Sequence, residues 1–439
     1  MIFFLQIFVI ICFIGIIIVL FYEKIDYLIY SILFTLVAIV ATNLLIPEKT
    51  TLGDIVLAIE WEVVIFLIAL FTIIEVLEDK QIFEEIARRI TKKFHTNTRK
   101  FFWLICLIST FSATLIEDLS VALIFIPLVI KSCRKMRVNP TPFLLGITIC
   151  INIAATLTPF GSAQNIIISK AFGLTPLWFV LNLGLYFIIT TLVTLFLLDR
   201  LFLTKHLDNI WEDHKEHELT IIDDSIDKSV FNRNIAALLI FSVLLFIIPN
   251  IAIVGIIGAL VFVFINPRSA EFGKKRPNFS FYIAKADLKL VYFFICLFIL
   301  VFCMEVNGTL RFLEDIILTL PLGNIFIMAI FILVITSILS GFLDNTPVTV
   351  LFIPIMHVLI DGSGLAATPL LVAFILGINL GGNFLPQGSA CDMATLELAK
   401  KNRVEDLNYK KLLKVGGLFA LFHIILGILY LAFLVFVLL

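Results

Sequence analysis

The chain has 439 residues, 61% hydrophobic and 15% charged, with a net charge of −1 and a mean hydropathy of +1.11. No water-soluble domain needs that apolar fraction, several runs approach the ~20 residues that span a bilayer as a helix, and the near-zero charge points to no nucleic-acid partner. The seven cysteines (Cys12, Cys106, Cys133, Cys150, Cys296, Cys303, Cys391) form no CxxC and no Cys/His cluster, which argues against a disulfide framework or a zinc site. The expectation is an all-α polytopic protein of the plasma (cytoplasmic) membrane. It is not an enzyme on this reading, since no nucleophile–base pair is visible.

Residues 2–21 and 27–46 read as a first helix pair. The first run lacks a basic start and a small-residue cleavage site, so it is expected to stay as a span. Residues 63–77 form a third span. In 81–94, Ile82, Phe83, Ile86, Ile90 and Phe94 share one face and Arg88, Arg89, Lys92 and Lys93 the other, the pattern of a basic amphipathic helix lying in the interface.

Residues 101–130 carry Glu117-Asp118-Leu119-Ser120 in the middle of an apolar run. A charge at bilayer depth costs roughly 2.5–3.5 kcal/mol, so an acidic pair there implies a task. Basic clusters flank both ends, the second at Lys131, Arg134, Lys135 and Arg137. The positive-inside rule puts both on one side. The segment therefore reads as a re-entrant hairpin with the acidic pair at its tip; two short antiparallel spans are the alternative.

Residues 142–171 form a helix interrupted by Thr156-Leu157-Thr158-Pro159-Phe160-Gly161-Ser162-Ala163-Gln164-Asn165. Residues 177–198 cross back to a polar loop, 199–233. A further pair follows at 234–248 and 251–265, then a basic loop (267–289), a span (290–304) and a second interfacial helix (307–320). A second hairpin, 324–360, has Asp344-Asn345-Thr346-Pro347 at its tip. Residues 370–396 are interrupted at Gly381-Gly382-Asn383-Phe384-Leu385-Pro386-Gln387-Gly388, and 413–438 form the last span. The total is about ten crossings and two hairpins.

One offset relates the halves. Phe125-Ile126-Pro127 and Phe352-Ile353-Pro354 lie 227 residues apart, as do Ile151-Asn152 and Ile378-Asn379, Pro159 and Pro386, and Gly161-Ser162-Ala163 and Gly388-Ser389-Ala390. The chain reads as two copies of one unit, 1–212 and 228–439, joined by a cytoplasmic linker at 213–227. Five crossings per unit is an odd number, so the second copy is inverted. Inverted repeats with broken helices at the midplane are the architecture of secondary transporters, with the site where the repeats meet.

Four elements should therefore converge. The hairpin tips contribute Glu117, Asp118, Ser120, Asp344, Asn345, Thr346 and Thr349. The breaks contribute Asn152, Thr156, Thr158, Gly161, Ser162, Asn165, Asn379, Gly382, Asn383, Gly388, Ser389 and Asp392. Hard oxygen ligands suit Na⁺, here through Glu117, Asp118, Asp344, Asn345 and Asn383. Helix N-termini beside them can take negative charge. One-sided acid favours cation or proton handling, with Na⁺ or H⁺ as coupling ion and no other cofactor. Thr114, Ser112 and Ser340 read as small residues for close helix packing. Cys391, His357 and His423 read as packing residues, with a thiol site for As(III) as the alternative for Cys391.

The run Leu343-Asp344-Asn345-Thr346-Pro347-Val348-Thr349-Val350-Leu351-Phe352-Ile353-Pro354, together with Glu60-Trp61-Glu62 and the Pro-x-Gly-Ser of both breaks, resembles the ion transporter superfamily. The likeness covers essentially the whole chain. It is nearest to the arsenical-pump permease, NhaD-type sodium/proton antiporter and P-protein branch, related to the divalent-anion sodium symporters. Those symporters carry Ser-Asn-Thr at both tips, where this chain has Glu117-Asp118-Leu119 and Asp344-Asn345-Thr346. The resemblance implies an ion-gradient-driven secondary transporter whose hairpins and broken helices move against a scaffold of the other spans. A cation/proton antiporter or arsenite-type permease is the leading expectation. A sodium-coupled dicarboxylate, citrate or other anion symporter is the alternative. The expected partners are the bilayer, a small ion or anion and a second copy of the chain as a homodimer. With no nucleotide-binding motif, any ATP coupling needs a soluble ATPase partner.

Overall fold

The computed structural model describes residues 2–20, 26–94, 97–204, 226–269, 275–311, 324–343, 345–363, 366–404 and 406–438. Among them the regular structure is helical apart from a two-residue ladder pairing β1 (Arg268–Ser269) with β2 (Lys275–Arg276). The first half runs α1 (Ile2–Leu20), α2 (Tyr27–Leu45), α3 (Leu52–Leu57), α4 (Trp61–Asp79), α5 (Ile82–Phe94), α6 (Thr98–Ala113), α7 (Asp118–Met136), α8 (Thr141–Ala154), α9 (Ala163–Ala171) and α10 (Pro176–Leu198). The second runs α11 (Lys228–Ile247), α12 (Ile251–Ile265), α13 (Phe279–Ile283), α14 (Leu288–Val306), α15 (Ile325–Phe342), α16 (Asn345–Ser363), α17 (Ala367–Gly381), α18 (Ala390–Lys401) and α19 (Tyr409–Phe433).

Six of these are long and apolar enough to cross a membrane: α2, α10 with its extension to Leu203, α11, α14, α15 and α19 with its extension to Val437. Shorter apolar helices include α8, α12 and α17. Exposed Leu181, Ile188, Leu239, Leu418 and Leu429 lie on the long spans, and exposed Phe264 on α12. Large apolar side chains left outside in this density are what lipid solvates. The chain is a multi-pass membrane protein.

Boundaries follow local chemistry. Pro176 opens α10 and Thr175 caps it by accepting from Trp178 N. α11 starts at Lys228, inside the expected 199–233 loop, because Asp227 accepts from Ser229 N and nucleates it. The loop also keeps a π turn, Asp199–Leu203, and α3 is an extra helix set by a Thr51–Asp54 capping box. In α5, Ile82, Phe83 and Ile90 are buried as the pattern requires. Arg89 lies 3.7 Å from the Phe231 ring centroid, which pins the helix to α11. The expected interfacial helix 307–320 falls mostly outside the described residues, as does Asp344.

The expected hairpin segments hold two successive helices each, α6/α7 and α15/α16, and the helices over 142–171 and 370–396 are each in two pieces, α8/α9 and α17/α18. The packing repeats with them. α6 lies on α8 as α15 lies on α17; α7 packs on α18, and α16 on α9. Each second hairpin arm thus docks on the half-helix of the other half of the chain. α15 and α17 come closest at Gly377 and Gly381. A Cβ at Gly377 would strike Thr336 and the Leu333 carbonyl, and one at Gly381 would strike the Ser337 backbone. This is the small-xxx-small approach of membrane helices.

Candidate functional site

The turn of the first hairpin spans 114–117, and Glu117 closes it as the N-cap of α7. Its Oε2 accepts from Ser120 N at 3.1 Å and from Ser120 Oγ at 3.0 Å. Asp118 is the first residue of α7, with Oδ1 accepting from Leu119 N at 2.7 Å. Both acids are buried. Their charge sits on the positive end of the α7 dipole. The helix terminus adds to the Ser120 hydroxyl a compensation that needs no Lys or Arg, in keeping with the expected helix N-termini beside the acids.

The breaks form short 3₁₀ turns, Pro159–Gly161 and Pro386–Gly388, before α9 and α18 restart. Pro159 and Pro386 lack the N–H that would continue a helix. Gly161 and Gly388 leave no room for a side chain. A Cβ on Gly161 would sit 2.7 Å from Ala113 O, and one on Gly388 would sit 2.8 Å from Gly341 O and 2.9 Å from Ser340 O. Each 3₁₀ turn is thus seated against the first arm of its own hairpin.

Two asparagines stitch the breaks together. Asn152 donates through Nδ2 to Asn383 Oδ1 at 2.8 Å and to Asp392 Oδ1 at 3.4 Å, and its Oδ1 accepts from Ser389 Oγ at 3.0 Å. Asn379 donates to Asn165 Oδ1 at 2.9 Å and accepts from Ser162 Oγ at 3.3 Å and Gln164 Nε2 at 3.1 Å. The 227-residue offset carries Asn152 to Asn379, Ser162 to Ser389 and Asn165 to Asp392. The contacts of Asn152 to Ser389 and Asp392 and of Asn379 to Ser162 and Asn165 are therefore one pattern seen from opposite halves, whereas the Asn152–Asn383 bond has no counterpart among the described residues.

The match fails where the charge is. Asp392 Oδ1 accepts from Thr148 Oγ1 at 2.6 Å and lies 3.7 Å from Cys391 Sγ, and Thr395 Oγ1 donates to Thr148 Oγ1 at 3.2 Å. The counterparts of Thr148, Thr395 and Cys391 are Ile375, Ile168 and Gln164. Among the described residues, every hydrogen-bond partner of Asp392 is neutral. In the first half, Asn165 uses its amide structurally instead, donating to Ala155 O and, at 3.2 Å, to Thr158 O.

At the second tip, Asn345 opens α16 with its amide nitrogen facing Ser340. It donates to Ser340 Oγ, to Gly388 O at 3.2 Å and to Ile378 O at 3.1 Å, and accepts from Gln164 Nε2 at 3.3 Å. Ser340 Oγ itself donates to Ile378 O at 2.6 Å.

The structure therefore gathers Glu117, Asp118, Asn152, Ser162, Asn165, Asn345, Asn379, Asn383, Ser389 and Asp392 at or beside the breaks, with Gly161, Gly382 and Gly388 as the close approaches. Thr346 is buried beside Asn345. Several predicted hydroxyls are occupied in holding backbone: Thr156 donates to Ile153 O, Thr158 to Thr114 O and Thr349 to Asn345 O. Ser120 serves Glu117. Ser340, expected only to pack, ties the hairpin to the break. Thr148 and Thr395 were not anticipated; the signal available was hydroxyl facing isoleucine across the 227-residue offset. Among the described residues no group of three or more His, Cys, Asp or Glu could hold a metal ion.

The chain matches the family model described as CitMHS, citrate transporter, over residues 16–377 and 237–439. It belongs to the citrate transporter family. That family lies within the ion transporter superfamily of the resemblance, so the family level of the expectation holds. Among relatives, a 46 kDa membrane protein of Mycobacterium leprae is 25% identical over 376 residues, covering 83% of this chain and 84% of that one. An uncharacterised transporter of Mycobacterium bovis is 26% identical over 353 residues, covering 78% and 79%. The crystal structure of the Alcanivorax borkumensis YdaH transporter superposes with a TM-score of 0.52 at 10% identity, covering 84% of this chain and 86% of that one, a likeness of fold. The chain is a transporter of the citrate transporter family.

Proposed function

We propose that this protein is an ion-gradient-driven secondary transporter that carries a small carboxylate anion together with a cation. The observation that carries the reading is the composition of the breaks and tips. Four helices, α7, α9, α16 and α18, begin there, and helix N-termini attract anions. Carboxylates stand at two of those starts, Glu117 and Asp118 on α7 and Asp392 in the first turn of α18. An anion entering alone would meet these acids, so Na⁺, H⁺ or another small cation enters with it and screens them. The family's description, citrate transporter, supports a carboxylate as the anion.

The two halves act in this proposal as inverted repeats, with α6/α7 and α15/α16 as re-entrant hairpins. Hairpins and broken helices form the moving body, and the remaining spans form the scaffold of an alternating-access cycle. A second reading is cation/proton antiport or arsenite-type permeation. Its support is the acid at both tips, where the related anion symporters carry serine.

Reconstituted full-length protein tests the choice. Uptake of labelled citrate into proteoliposomes that rises with an inward cation or proton gradient supports symport. Gradient-driven cation/proton exchange without citrate supports the second reading. If neither Glu117→Gln nor Asp392→Asn changes flux of any of these ions, the placing of the site here fails.

A further inference from the structure

The two breaks are alike in backbone and unlike in what they leave unsatisfied. In the first, Thr156 and Asn165 spend their polar groups on neighbouring carbonyls. In the second, the counterpart of Thr156 is Asn383, 1% exposed, and its Nδ2 has no hydrogen-bond partner. The counterpart of Asn165 is Asp392, also 1% exposed. Its hydrogen bonds from Thr148, Asn152 and Cys391 all reach Oδ1, and none from a described residue reaches Oδ2. The two residues are neighbours through one group: Asn152 Nδ2 donates to Asn383 Oδ1 at 2.8 Å and to Asp392 Oδ1 at 3.4 Å.

A buried donor without an acceptor costs its full desolvation, so such an orphan in a preorganised site points to a ligand atom. Here a spare donor and a spare acceptor belong to two residues that meet at Asn152 Nδ2. A bare carboxylate oxygen would satisfy Asn383 and be repelled by Asp392. A metal cation would satisfy Asp392 and face the positive edge of the Asn383 amide. A hydroxyl does both, accepting from Asn383 and donating to Asp392.

We propose that Asn383 and Asp392 form a hydroxyl-reading pair that makes the transporter select hydroxycarboxylates over the same acids without the hydroxyl, and that the first break is a neutral structural lock. This rests on the carboxylate reading above and sharpens it. It also gives Asn383, expected from the sequence as a Na⁺ ligand, a substrate-binding task instead, and adds one to Asp392. A site built to hydrogen-bond a hydroxyl rejects the analogue that lacks it, because the site's polar groups are then left unpaired.

Citrate and tricarballylate, which has the same three carboxylates and no hydroxyl, are the probes, with malate and succinate as a second pair. Each competes with labelled citrate or malate for binding to the purified full-length protein and for uptake into proteoliposomes. The expected result is that wild type prefers the hydroxy acid by about 10–100-fold, the worth of one to two buried hydrogen bonds. Asp392→Asn, and Asn383→Thr, which installs the residue of the first break, should each bring the ratio to within about three-fold, even where overall affinity falls. A purely structural role would lower both affinities and leave the ratio unchanged. If wild type binds both members of each pair equally, the pair holds only a resident water and the proposal is overturned while carboxylate transport stands. If neither pair competes or is carried, both fail. The wild-type ratio decides even if a variant does not fold.

Discussion

Replacing Asn379 with leucine tests whether the cross-half asparagines hold the breaks. Leucine keeps the size and removes four interactions: the donations to Asn165 Oδ1 at 2.9 Å and to Ile375 O at 2.8 Å, and the acceptances from Ser162 Oγ at 3.3 Å and Gln164 Nε2 at 3.1 Å. Gln164 retains Asn345 as a partner at 3.3 Å. Asn165 and Ser162 are fully buried and lose these contacts to the other half of the chain. Each buried polar atom left unpaired costs about 1–3 kcal/mol, so the variant should be less stable by about 2–6 kcal/mol. Asn152→Leu should cost at least as much, because one bond it removes goes to the Asp392 carboxylate, and bonds to charged groups are worth more. Equilibrium unfolding in mixed micelles, read by tryptophan fluorescence, measures both. An Asn379→Leu protein within about 0.5 kcal/mol of wild type, the usual scale of a change that touches no special feature, would refute the claim that these amides join the halves.

Gly388→Ala should lower stability by about 1–3 kcal/mol, since its Cβ would lie 2.8 Å from Gly341 O and 2.9 Å from Ser340 O, and overpacking costs that much; thermal unfolding in detergent reads it. Glu85 supplies a pH prediction at the membrane surface. Burial raises its carboxyl, but hydrogen bonds and charge from Arg89 and Arg88 outweigh that and hold it below the ordinary range. A lowered carboxyl contributes stability above its unfolded value, ~4.3, and loses it only as pH falls through the lower folded value. Pepsin cleavage of α5 should therefore rise only toward the acid end of the enzyme's range, and Glu85→Gln should remove that dependence. Lys170→Met should change stability by less than about 1 kcal/mol, because the Lys170–Glu62 pair is partly exposed, with side chains 43% and 20% accessible; the same unfolding assay checks it.

Much of the frame was legible because the features that make it are backbone-dictated. Proline and glycine two residues apart, at 159/161 and 386/388, break their helices, whereas the lone Pro127 and Pro354 are accommodated inside α7 and α16; the common 227-residue offset of both sets stands in the sequence itself. The amphipathic period of residues 82–94 was equally self-sufficient. The site's wiring was not legible in the same way. Nothing local says that Asn152 reaches Ser389 and Asp392 rather than its own half, since that depends on how two broken helices meet. Nor does composition separate a hydroxyl that holds backbone, such as Thr158 on Thr114 O, from one free for a ligand. Helix starts were missed where a single cap decides them, as at Asp227 and Thr51. Glu62, quoted only as part of a motif, proves to be a junction: it pairs with Lys170 and accepts from Ile251 N at 3.2 Å, tying α4 to α9 and to the start of α12.

The acids at the centre raise the question of how such a site stays folded when empty. Burying an ionised carboxylate without compensation is prohibitive. Glu117 accepts two hydrogen bonds from Ser120, at 3.0 and 3.1 Å, at the head of α7, and Asp392 accepts from Thr148, Asn152 and Cys391 in the first turn of α18. Compensation by dipoles differs from compensation by a lysine or arginine. A cationic side chain would occupy the space around the carboxylate and hold a permanent counter-charge there. Helix termini and hydroxyls hold the charge without placing a permanent counter-charge beside it. For a transporter that must bind and release its cargo in each cycle, this gives an acid stable enough to exist alone and still able to gain from a second partner. The cost falls on geometry: α7, α9, α16 and α18 must all begin at the breaks and tips, and the two asparagines related by 227 residues fasten the two interrupted helices together there.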